Sequence, residues 1–406
     1  MSRIDELIAE LCPDGVEFRT LGDVGTFIRG NGLQKSDLTE TGIPAIHYGQ
    51  IHTYYGTWTT ETISFVTPEF GKRLRKAGPG DLVIATTSED DEAVGKAVAW
   101  LGGSDAAISG DAYIYHHSLV PKYASYFFQS EQFQSQKKRS ITGTKVRRIS
   151  GDSLAKIKAP VPPVAVQEEI VRVLDLFTTL EAELEAELEA RRRQYAHYRD
   201  LLLTFPEAGG VRWVPMGELA EFKYGFTASA EDSGKYRFLR ITDISPWGKL
   251  LSTGAKYVPA SDAVRDYSVV RGDLLMARTG ATYGKTMLVD SDEPAVYASF
   301  LIRIQFSDSQ LLPSYYWHFA QSSLYWSQAN AMVSTGGQPQ FNANVLKLVK
   351  VPVPPLEEQE RIVAILDKFD ALVNDLSVGL PAELAARRTQ YEHYRDRLMD
   401  FEELAT

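Results

Sequence analysis

Two pairs of closely similar stretches occur in the sequence, and this duplication constrains the fold more than any other feature. Residues 159–175 read APVPPVAVQEEIVRVLD, and residues 351–367 read VPVPPLEEQERIVAILD. A second pair follows, ARRRQYAHYRD at residues 190–200 and ARRTQYEHYRD at residues 386–396. The sequence that precedes each copy is far less alike. The chain is therefore predicted to carry two diverged modules on a duplicated scaffold.

The duplicated stretches are predicted to be long helices, at residues 159–205 and 351–406. Each begins after a proline-rich stop, which suits the approach to a helix. Apolar residues then recur in steps of three and four, as in the seam of a coiled coil. Two such seams are expected to pack as an antiparallel pair of roughly 60 Å. The seam residues are Ile170, Val173, Phe177, Leu180 and Leu184 in the first copy, and Ile362, Ile365, Phe369, Leu372 and Leu376 in the second.

The two copies differ in length. Pro160 corresponds to Pro352 at an offset of 192, whereas Tyr195 corresponds to Tyr391 at an offset of 196. The second copy therefore contains four extra residues, about one helical turn. The first copy has a Leu-Glu-Ala-Glu repeat at this point, and the second has Gly379-Leu380-Pro381. Glycine and proline predict a kink or two shorter helices there.

The variable modules, residues 1–158 and 206–350, are predicted to be mixed α/β domains of one fold. GDLVIATT at residues 80–87 and GDLLMART at residues 272–279 are matching turn-and-strand signals at the same offset of 192. The fold class predicted is α+β, with two mixed α/β modules separated by two long helices that form an antiparallel coiled coil. The internal repeat implies a pseudo-two-fold relation.

Composition excludes several classes. No apolar run is long enough to span a membrane, and the first residues lack the pattern of a signal peptide. Cys12 is the single cysteine, so neither an internal disulfide nor a cysteine zinc cage is expected. The adjacent pair His116-His117 falls on opposite faces of a strand, so no metal site is predicted. A cytoplasmic location is the expectation.

Charge alone does not decide whether the chain binds nucleic acid. The net charge of −10 argues against it, but the acidic residues concentrate in the duplicated stretches. Residues 137–148, KKRSITGTKVRR, carry six basic and no acidic residues. Their counterpart, residues 330–342, is uncharged and rich in amides and glycine. Arginine and lysine contact guanine and phosphates, and asparagine and glutamine contact adenine, so the two segments are predicted to read different bases.

The residues predicted to contact DNA are polar or basic side chains at matching places in the two modules. In the first module they are Gln50, Thr86, Thr87, Lys96, Lys137, Lys138, Lys145, Arg147 and Arg148. In the second module they are Arg240, Arg278, Thr279, Lys285, Gln338 and Gln340. An alternative is that the loops are simply solvated.

The whole chain resembles the specificity subunit of type I restriction–modification systems. The resemblance rests on the two Pro-Val-Pro-Pro segments, the Gln-Tyr-x-His-Tyr-Arg-Asp helix ends and the Leu-Glu-Ala-Glu repeat. It implies two target recognition domains, each reading half of a split double-stranded DNA site. It further implies that the helices space the domains and dock two modification subunits, with two restriction subunits as possible further partners.

The resemblance also implies that this chain is non-catalytic and binds no cofactor. S-adenosylmethionine is expected on the modification subunits, which methylate adenine, and ATP with Mg is expected on the restriction subunits. The scaffold residues predicted to dock partners are Gln167, Tyr195, Tyr198, Gln359, Tyr391 and Tyr394.

Two other classes remain open at this point. The net acidity is compatible with an adaptor that binds proteins and no DNA. Residues 280–286, GATYGKT, resemble a phosphate loop, but three residues separate the glycines where four are needed. A glycine turn between strands is the preferred interpretation of that segment.

Overall fold

The computed structural model describes residues 3–206, 210–251, 253–306, 310–333, 339–375 and 377–404, without the side chains of residues 262 and 263. Two compact units form. Unit 1 contains residues 1–183 and 385–406, and unit 2 contains residues 184–384. Each unit therefore combines one module with parts of the scaffold helices. Gln338 and Leu376 lie outside the described residues.

The first half of the chain alternates short strands and helices before one long helix. Its strands are β1 Phe18–Thr20, β2 Gly25–Arg29, β3 Ile43–Ile46, β4 Trp58–Thr59, β5 Ser64–Val66, β6 Lys76–Ala77, β7 Leu82–Ala85, β8 Thr87–Ser88, β9 Ala97–Trp100, β10 Ala106–Ile108, β11 Ala112–His117, β12 Arg147–Arg148 and β13 Lys158–Pro160. Its helices are α1 Arg3–Leu11, α2 Leu21–Val24, α3 Tyr48–Thr53, α4 Pro68–Gly71, α5 Pro121–Phe127, α6 Glu131–Lys138, α7 Gly151–Ala155 and α8 Val164–Leu202.

The second half has a similar order with fewer elements, and its scaffold helix is divided. Its strands are β14 Arg212–Pro215, β15 Ala220–Tyr224, β16 Tyr236–Leu239, β17 Tyr257–Val258, β18 Ser268–Val269, β19 Leu274–Ala277, β20 Thr286–Leu288, β21 Ala295–Tyr297, β22 Leu301–Phe306 and β23 Lys350–Val353. Its helices are α9 Met216–Leu219, α10 Asp262–Arg265, α11 Pro313–Phe319, α12 Ser323–Met332, α13 Ala343–Leu346, α14 Leu356–Asn374 and α15 Leu380–Met399.

The two modules share a sheet topology, except that β4 of the first has no counterpart among the described residues of the second. The first has sheets ordered β2-β11-β7-β9-β4 and β5-β3-β10-β6, and the second has β15-β22-β19-β20 and β17-β16-β21-β18. The strands β7 and β19, predicted from the two GDL segments, are fully buried in each core. Each fully buried aliphatic side chain contributes about 1.5–3 kcal/mol, so these central strands anchor their modules. The mixed α/β repeat predicted from the sequence is confirmed.

A glutamine fastens each module to its scaffold helix. Gln167 Oε1 accepts the N–H of Val120 at 2.8 Å, and Gln359 Oε1 accepts the N–H of Leu312 at 2.9 Å. Both amides also donate to the carbonyl of the proline five residues earlier. Both side chains are buried, so their hydrogen bonds are made inside the unit. We therefore withdraw Gln167 and Gln359 from the predicted docking surface.

The two scaffold copies differ in continuity, as the sequence predicts. Helix α8 runs unbroken for 39 residues, about 58 Å. Helix α14 ends at Asn374, and α15 begins at Leu380. Gly379 lies between them with φ +80°, and a Cβ there would come within 2.5 Å of the carbonyl oxygen of Leu372. Only glycine fits this approach without strain, so the break is built into the sequence.

Within each unit, part of α8 packs against another scaffold helix. In unit 1, Phe177 stacks on Tyr394 at 5.3 Å, and Glu181 pairs with Arg388 at 2.6 Å, so the two helices run antiparallel. In unit 2, Tyr198 stacks on Phe369 at 5.7 Å. Phe177 and Phe369 of the predicted seams thus lie between helices. Leu180 and Leu372 do not, because they are 47% and 37% exposed, and Leu174, Leu188, Leu366 and Val373 are buried in their place.

Candidate nucleic-acid interface

Each module has one sheet end at which matching backbone positions carry different side chains. In the first module Arg148 pairs with Thr87 in an antiparallel bridge, and in the second Gln340 pairs with Thr279. Each residue of the first pair corresponds to a residue of the second pair at the offset of 192 found in the sequence. Arg148 and Gln340 are both exposed. One backbone position therefore presents a guanidinium in one module and an amide in the other.

The basic segment of the first module forms an exposed hairpin. Residues 142 and 148 pair, and Gly143 turns the chain with φ +93°. Lys145 and Arg148 are exposed, and no ion pair is found for either among the residues that the structure describes. Arg147 differs, because its Nε lies 2.8 Å from Asp91 and its Nη1 donates to the carbonyl of Gly143. The hairpin thus offers two uncommitted cations and one that is already neutralised.

The other basic residues of this segment divide by exposure. Lys137 is buried, and its ammonium donates to the carbonyls of Glu92 and Val94 at 2.6 and 2.7 Å. Burial lowers the pKa of Lys137 to about 8, with acidic neighbours opposing that change. We withdraw Lys137 from the predicted interface, because its donors are used inside the module. Lys138, one residue later, is exposed at the end of α6.

Four other candidates of the first module have local structural partners. Thr86 and Thr87 are buried, and the Thr86 hydroxyl donates to the Asp111 carbonyl at 3.0 Å. Lys96 donates to the Tyr55 carbonyl at 3.0 Å, and burial lowers its pKa. Gln50 caps α3 by accepting the N–H of His47. Because Thr87 is buried and the side chains of Thr86, Lys96 and Gln50 are committed internally, we reassign all four residues to structural roles.

In the second module, Arg278 occupies the place of Thr86. Its guanidinium carbon lies 5.4 Å from the ring centres of both Tyr224 and Phe300. Neighbouring Thr279 is buried, which removes it from the predicted contacts. Lys285 is half-buried in the glycine turn between β19 and β20. The segment that resembles a phosphate loop is therefore a turn between strands, as preferred above.

Arg240 is committed to its own module. Its guanidinium pairs with Asp243 at 2.7 Å and also donates to the carbonyl of Gly254. The Asp243 carboxylate in turn accepts the Arg240 N–H, which closes a capping box around a short 3₁₀ turn. The hydrogen bond with Asp243 raises the pKa of Arg240. We assign Arg240 to this turn and no longer to the predicted interface.

The scaffold tyrosines form two classes. Tyr195 is buried, with its hydroxyl 3.2 Å from His318 Nδ1, and Tyr391 is largely covered, with its hydroxyl donating to Gln129 at 2.9 Å. Burial raises the pKa of both phenols. These two are core residues and are withdrawn as docking sites. Tyr198 and Tyr394 are 38% and 36% exposed and remain candidates.

Sequence reasoning missed two residues of the sheet ends, the basic Arg29 and the aromatic Tyr224. Arg29 and Tyr224 are the last residues of β2 and β15, and Gly30 and Gly225 follow them. A Cβ on either glycine would come within 2.3 Å of a carbonyl oxygen, so both must be glycine. The signal was an aligned pair, Arg29-Gly30 and Tyr224-Gly225, with a fixed glycine and a changed neighbour. Such a pair marks one backbone site with two side-chain chemistries.

The described residues form neither a metal site nor a membrane-spanning helix. Among the residues that the structure describes, no cluster of three or more histidine, cysteine or acidic side chains has the geometry to hold a metal ion. Across the same described ranges, no helix has the length and apolarity required to cross a membrane.

Comparison with known proteins supplies the family. The family described as "Type I restriction modification DNA specificity domain" matches residues 13–190 and again residues 210–386. The EcoR124I/EcoR124II specificity subunit of Escherichia coli is 36% identical over 271 residues, which cover 62% of this chain and 65% of that protein. The match thus spans slightly less than two thirds of that relative. A putative type I specificity subunit of Haemophilus influenzae is 31% identical over 278 residues, covering 64% of this chain and 68% of its own length.

Solved structures agree at the level of the fold. A type I S subunit from M. genitalium aligns with a TM-score of 0.52 and 13% identity, over 95% of this chain and 96% of that one. A chain from a study of complex assembly and conformational transition of the type I R-M system aligns with a TM-score of 0.59 and 18% identity, over 95% and 98%. Because the family match covers both modules and most of the scaffold, this chain belongs to the family of type I restriction–modification specificity subunits.

Proposed function

We propose that this chain gives a type I restriction–modification enzyme its DNA specificity. Each module reads one half of a bipartite double-stranded site, and the chain itself performs no catalysis. The observation that carries the proposal is the shared bridge position, with Arg148 in one module and Gln340 in the other. Arginine pairs with guanine and glutamine with adenine through two hydrogen bonds each. Two modules with a similar backbone and different base-contacting side chains would suit a DNA site whose two halves differ in sequence.

The chemistry on DNA belongs to partners in this proposal. Two modification subunits carry S-adenosylmethionine and methylate adenine N6, and two restriction subunits, where present, use ATP and Mg. The matched exposed residues Tyr198 and Tyr394 support two equivalent docking points on the scaffold. Each ring stacks on a phenylalanine of its own unit, Phe369 or Phe177, with the planes within 30°. This stacking fixes the orientation of the ring that a partner would meet.

The test uses the chain assembled with its modification subunits on a library of duplexes. Arg148→Ala is expected to relax specificity at one base pair of one half-site, and Gln340→Ala at one base pair of the other. Each loss is roughly tenfold or more, the worth of a two-bonded base contact. Arg19→Ala is the control, because Arg19 lies on β1 beside β13 and is engaged with Asp23 and Glu17.

The outcomes separate DNA reading from the adaptor alternative. Two independent, half-site-specific losses support the proposal. Assembly with modification subunits that proceeds without any sequence-dependent DNA binding contradicts it and favours a protein adaptor.

The scaffold sets the spacing between half-sites in this proposal. One added Leu-Glu-Ala-Glu unit within residues 180–190 lengthens α8 by about 6 Å, and base pairs are about 3.4 Å apart. The spacer of the recognised site is therefore expected to grow by one or two base pairs in a methylation map. Ala186→Gln, at an exposed position of the repeat, keeps the length and is the control. An unchanged spacer in the lengthened variant refutes the ruler role.

A further inference from the structure

Three neighbouring strands of the main sheet of the second module have chain ends on the same side of that sheet. Tyr224 is the last residue of β15, Phe300 immediately precedes β22, and Arg278 immediately follows β19. The sheet order β15-β22-β19 makes these strands neighbours. The N–H of Arg278 donates to the carbonyl of Phe300 at 3.0 Å, so the ladder continues to this point. The arrangement is therefore set by the register of the sheet.

The guanidinium of Arg278 is held on three sides. Its Nε donates to the carbonyl of Ser299 at 3.0 Å, and the rings of Tyr224 and Phe300 flank it at 5.4 Å each. Tyr224 is itself anchored, because its hydroxyl accepts the N–H of Ala343 at 3.1 Å. Such flanking is favourable through cation–π attraction and restricts the rotamers of a long side chain. An arginine ordered before binding loses less entropy when it binds.

The outer edge of this guanidinium is uncommitted. Within the described ranges no carboxylate pairs with Arg278, and its two terminal nitrogens have no hydrogen-bond acceptor. The flanking rings are open to solvent, with Tyr224 41% and Phe300 49% exposed. Two parallel N–H donors at the surface, fixed in plane, match the paired acceptors O6 and N7 of guanine. A phosphate can also accept two parallel N–H donors, so the salt dependence of binding is needed to distinguish a base contact from a phosphate contact.

The first module lacks this arrangement at the same sheet end. Arg29 takes the place of Tyr224, and its guanidinium lies 3.6 Å from Asp111. Thr86 takes the place of Arg278 and is buried. There the arginine is opposed by a carboxylate and lies between no rings. At this sheet end, among the residues that the structure describes, the ring-flanked cation is thus found in the second module and not in the first, so the shared fold does not require it.

We propose that Arg278 reads a guanine in the half-site of the second module, with Tyr224 and Phe300 as positioning residues. This inference rests on the proposed function and names one base that the second module selects. Tyr224 and Phe300 act by holding the plane of the guanidinium, so their loss lowers discrimination at the same base pair.

The experiment compares base discrimination and salt dependence in the assembled methyltransferase. Arg278→Lys and Arg278→Ala are each expected to reduce discrimination at one G·C pair roughly ten- to hundredfold. The other half-site and the salt slope should stay the same. Phe300→Leu should lose part of the discrimination at that pair, and Phe300→Tyr should retain it. Arg271→Lys is the control, since Arg271 is an exposed arginine of the same module paired with Asp292.

Each other outcome has a distinct meaning. Uniform weakening on all sequences with a flatter salt slope assigns Arg278 to a phosphate and overturns the inference. A parental half-site without a G·C pair, or variants with parental discrimination and normal thermal unfolding, overturns it as well. A parental complex that binds DNA without sequence preference instead overturns the proposed function, so the two failures are distinguishable.

Discussion

The two modules have a similar backbone fold but carry different side chains at the equivalent sheet end. At the sheet end of the first, Arg29 is paired with Asp111, and an exposed hairpin carries Lys145 and Arg148. At the sheet end of the second, Arg278 lies between two aromatic rings without a carboxylate. The difference shows that the backbone is the conserved part of the repeat. The proposed function assigns selectivity to a few side chains at strand ends, where substitution leaves the core intact.

The largest expected effect concerns what the modules share. Gly30→Ala puts a Cβ within 2.2 Å of the carbonyl oxygen of Ser109, and Gly225→Ala puts one within 2.3 Å of the carbonyl oxygen of Ala298. Both substitutions should lower the free energy of unfolding by about 3 kcal/mol, because backbone must move. Thermal or urea unfolding measures the loss. Gly103→Ala is the control, since no atom lies within 4 Å of its added Cβ. Unequal losses at the two sites would break the structural equivalence.

The next effect separates the modules by charge. Combined replacement of Lys145, Arg147 and Arg148 by alanine should weaken DNA binding of the assembled enzyme about ten- to a hundredfold. The slope of log affinity against log salt should fall by about one and not three, because Arg148 is proposed to read a base and Arg147 already pairs with Asp91. A salt titration by gel shift measures the slope. An unchanged slope removes the hairpin from the interface.

A third effect distinguishes the modules by their response to acid. His117 ends β11, and Phe306 ends the equivalent strand β22. Burial is the main cause that lowers the pKa of His117 to about 4, with Asp81 opposing it. The unfolded chain therefore binds a proton below about pH 6.5 that the folded module does not. Stability is full above that pH and falls as pH drops towards 4, by about 2 kcal/mol at pH 5.

The substitution His117→Phe copies the residue of the second module and should remove this pH dependence. Urea unfolding at pH 7 and pH 5 measures it as the change in stability between the two conditions. A variant that keeps the parental slope would assign the acid sensitivity to other groups.

The smallest effect tests the pairing at the sheet end of the first module. Asp111→Asn removes the carboxylate that faces Arg29, so the salt slope of DNA binding should steepen by about one. Stability should change by less than about 1 kcal/mol, because both partners are exposed. The same titration measures it. If the slope is unchanged, this sheet end of the first module makes no phosphate contact through Arg29.

Local patterns predicted the framework well. Nearby residues in the sequence were enough to predict three features: the beginning of each scaffold helix after its prolines, the strands β7 and β19, and the break near Gly379. The residues of the candidate site were harder to predict from the sequence, because their proximity depends on the register of the sheet. Lys137 belongs to the basic run yet points into the core, and Arg147 meets Asp91 from a distant loop. Tyr224 and Phe300 are far apart in sequence and meet only because β15 and β22 are neighbours.

The division of the scaffold also determines the order in which the protein is completed during synthesis. Unit 2 is one continuous stretch, residues 184–384, whereas unit 1 needs residues 385–404 to cover Phe177 and Gln129 with Tyr391. The N–H of Val16 likewise donates to the carbonyl of Glu402, a hydrogen bond that can form only after the end of the chain has been made. Domains generally fold as they emerge from the ribosome, and contacts distant in sequence form slowly. Unit 1 is therefore expected to be completed after unit 2, once residues 385–404 have been synthesised and have joined it.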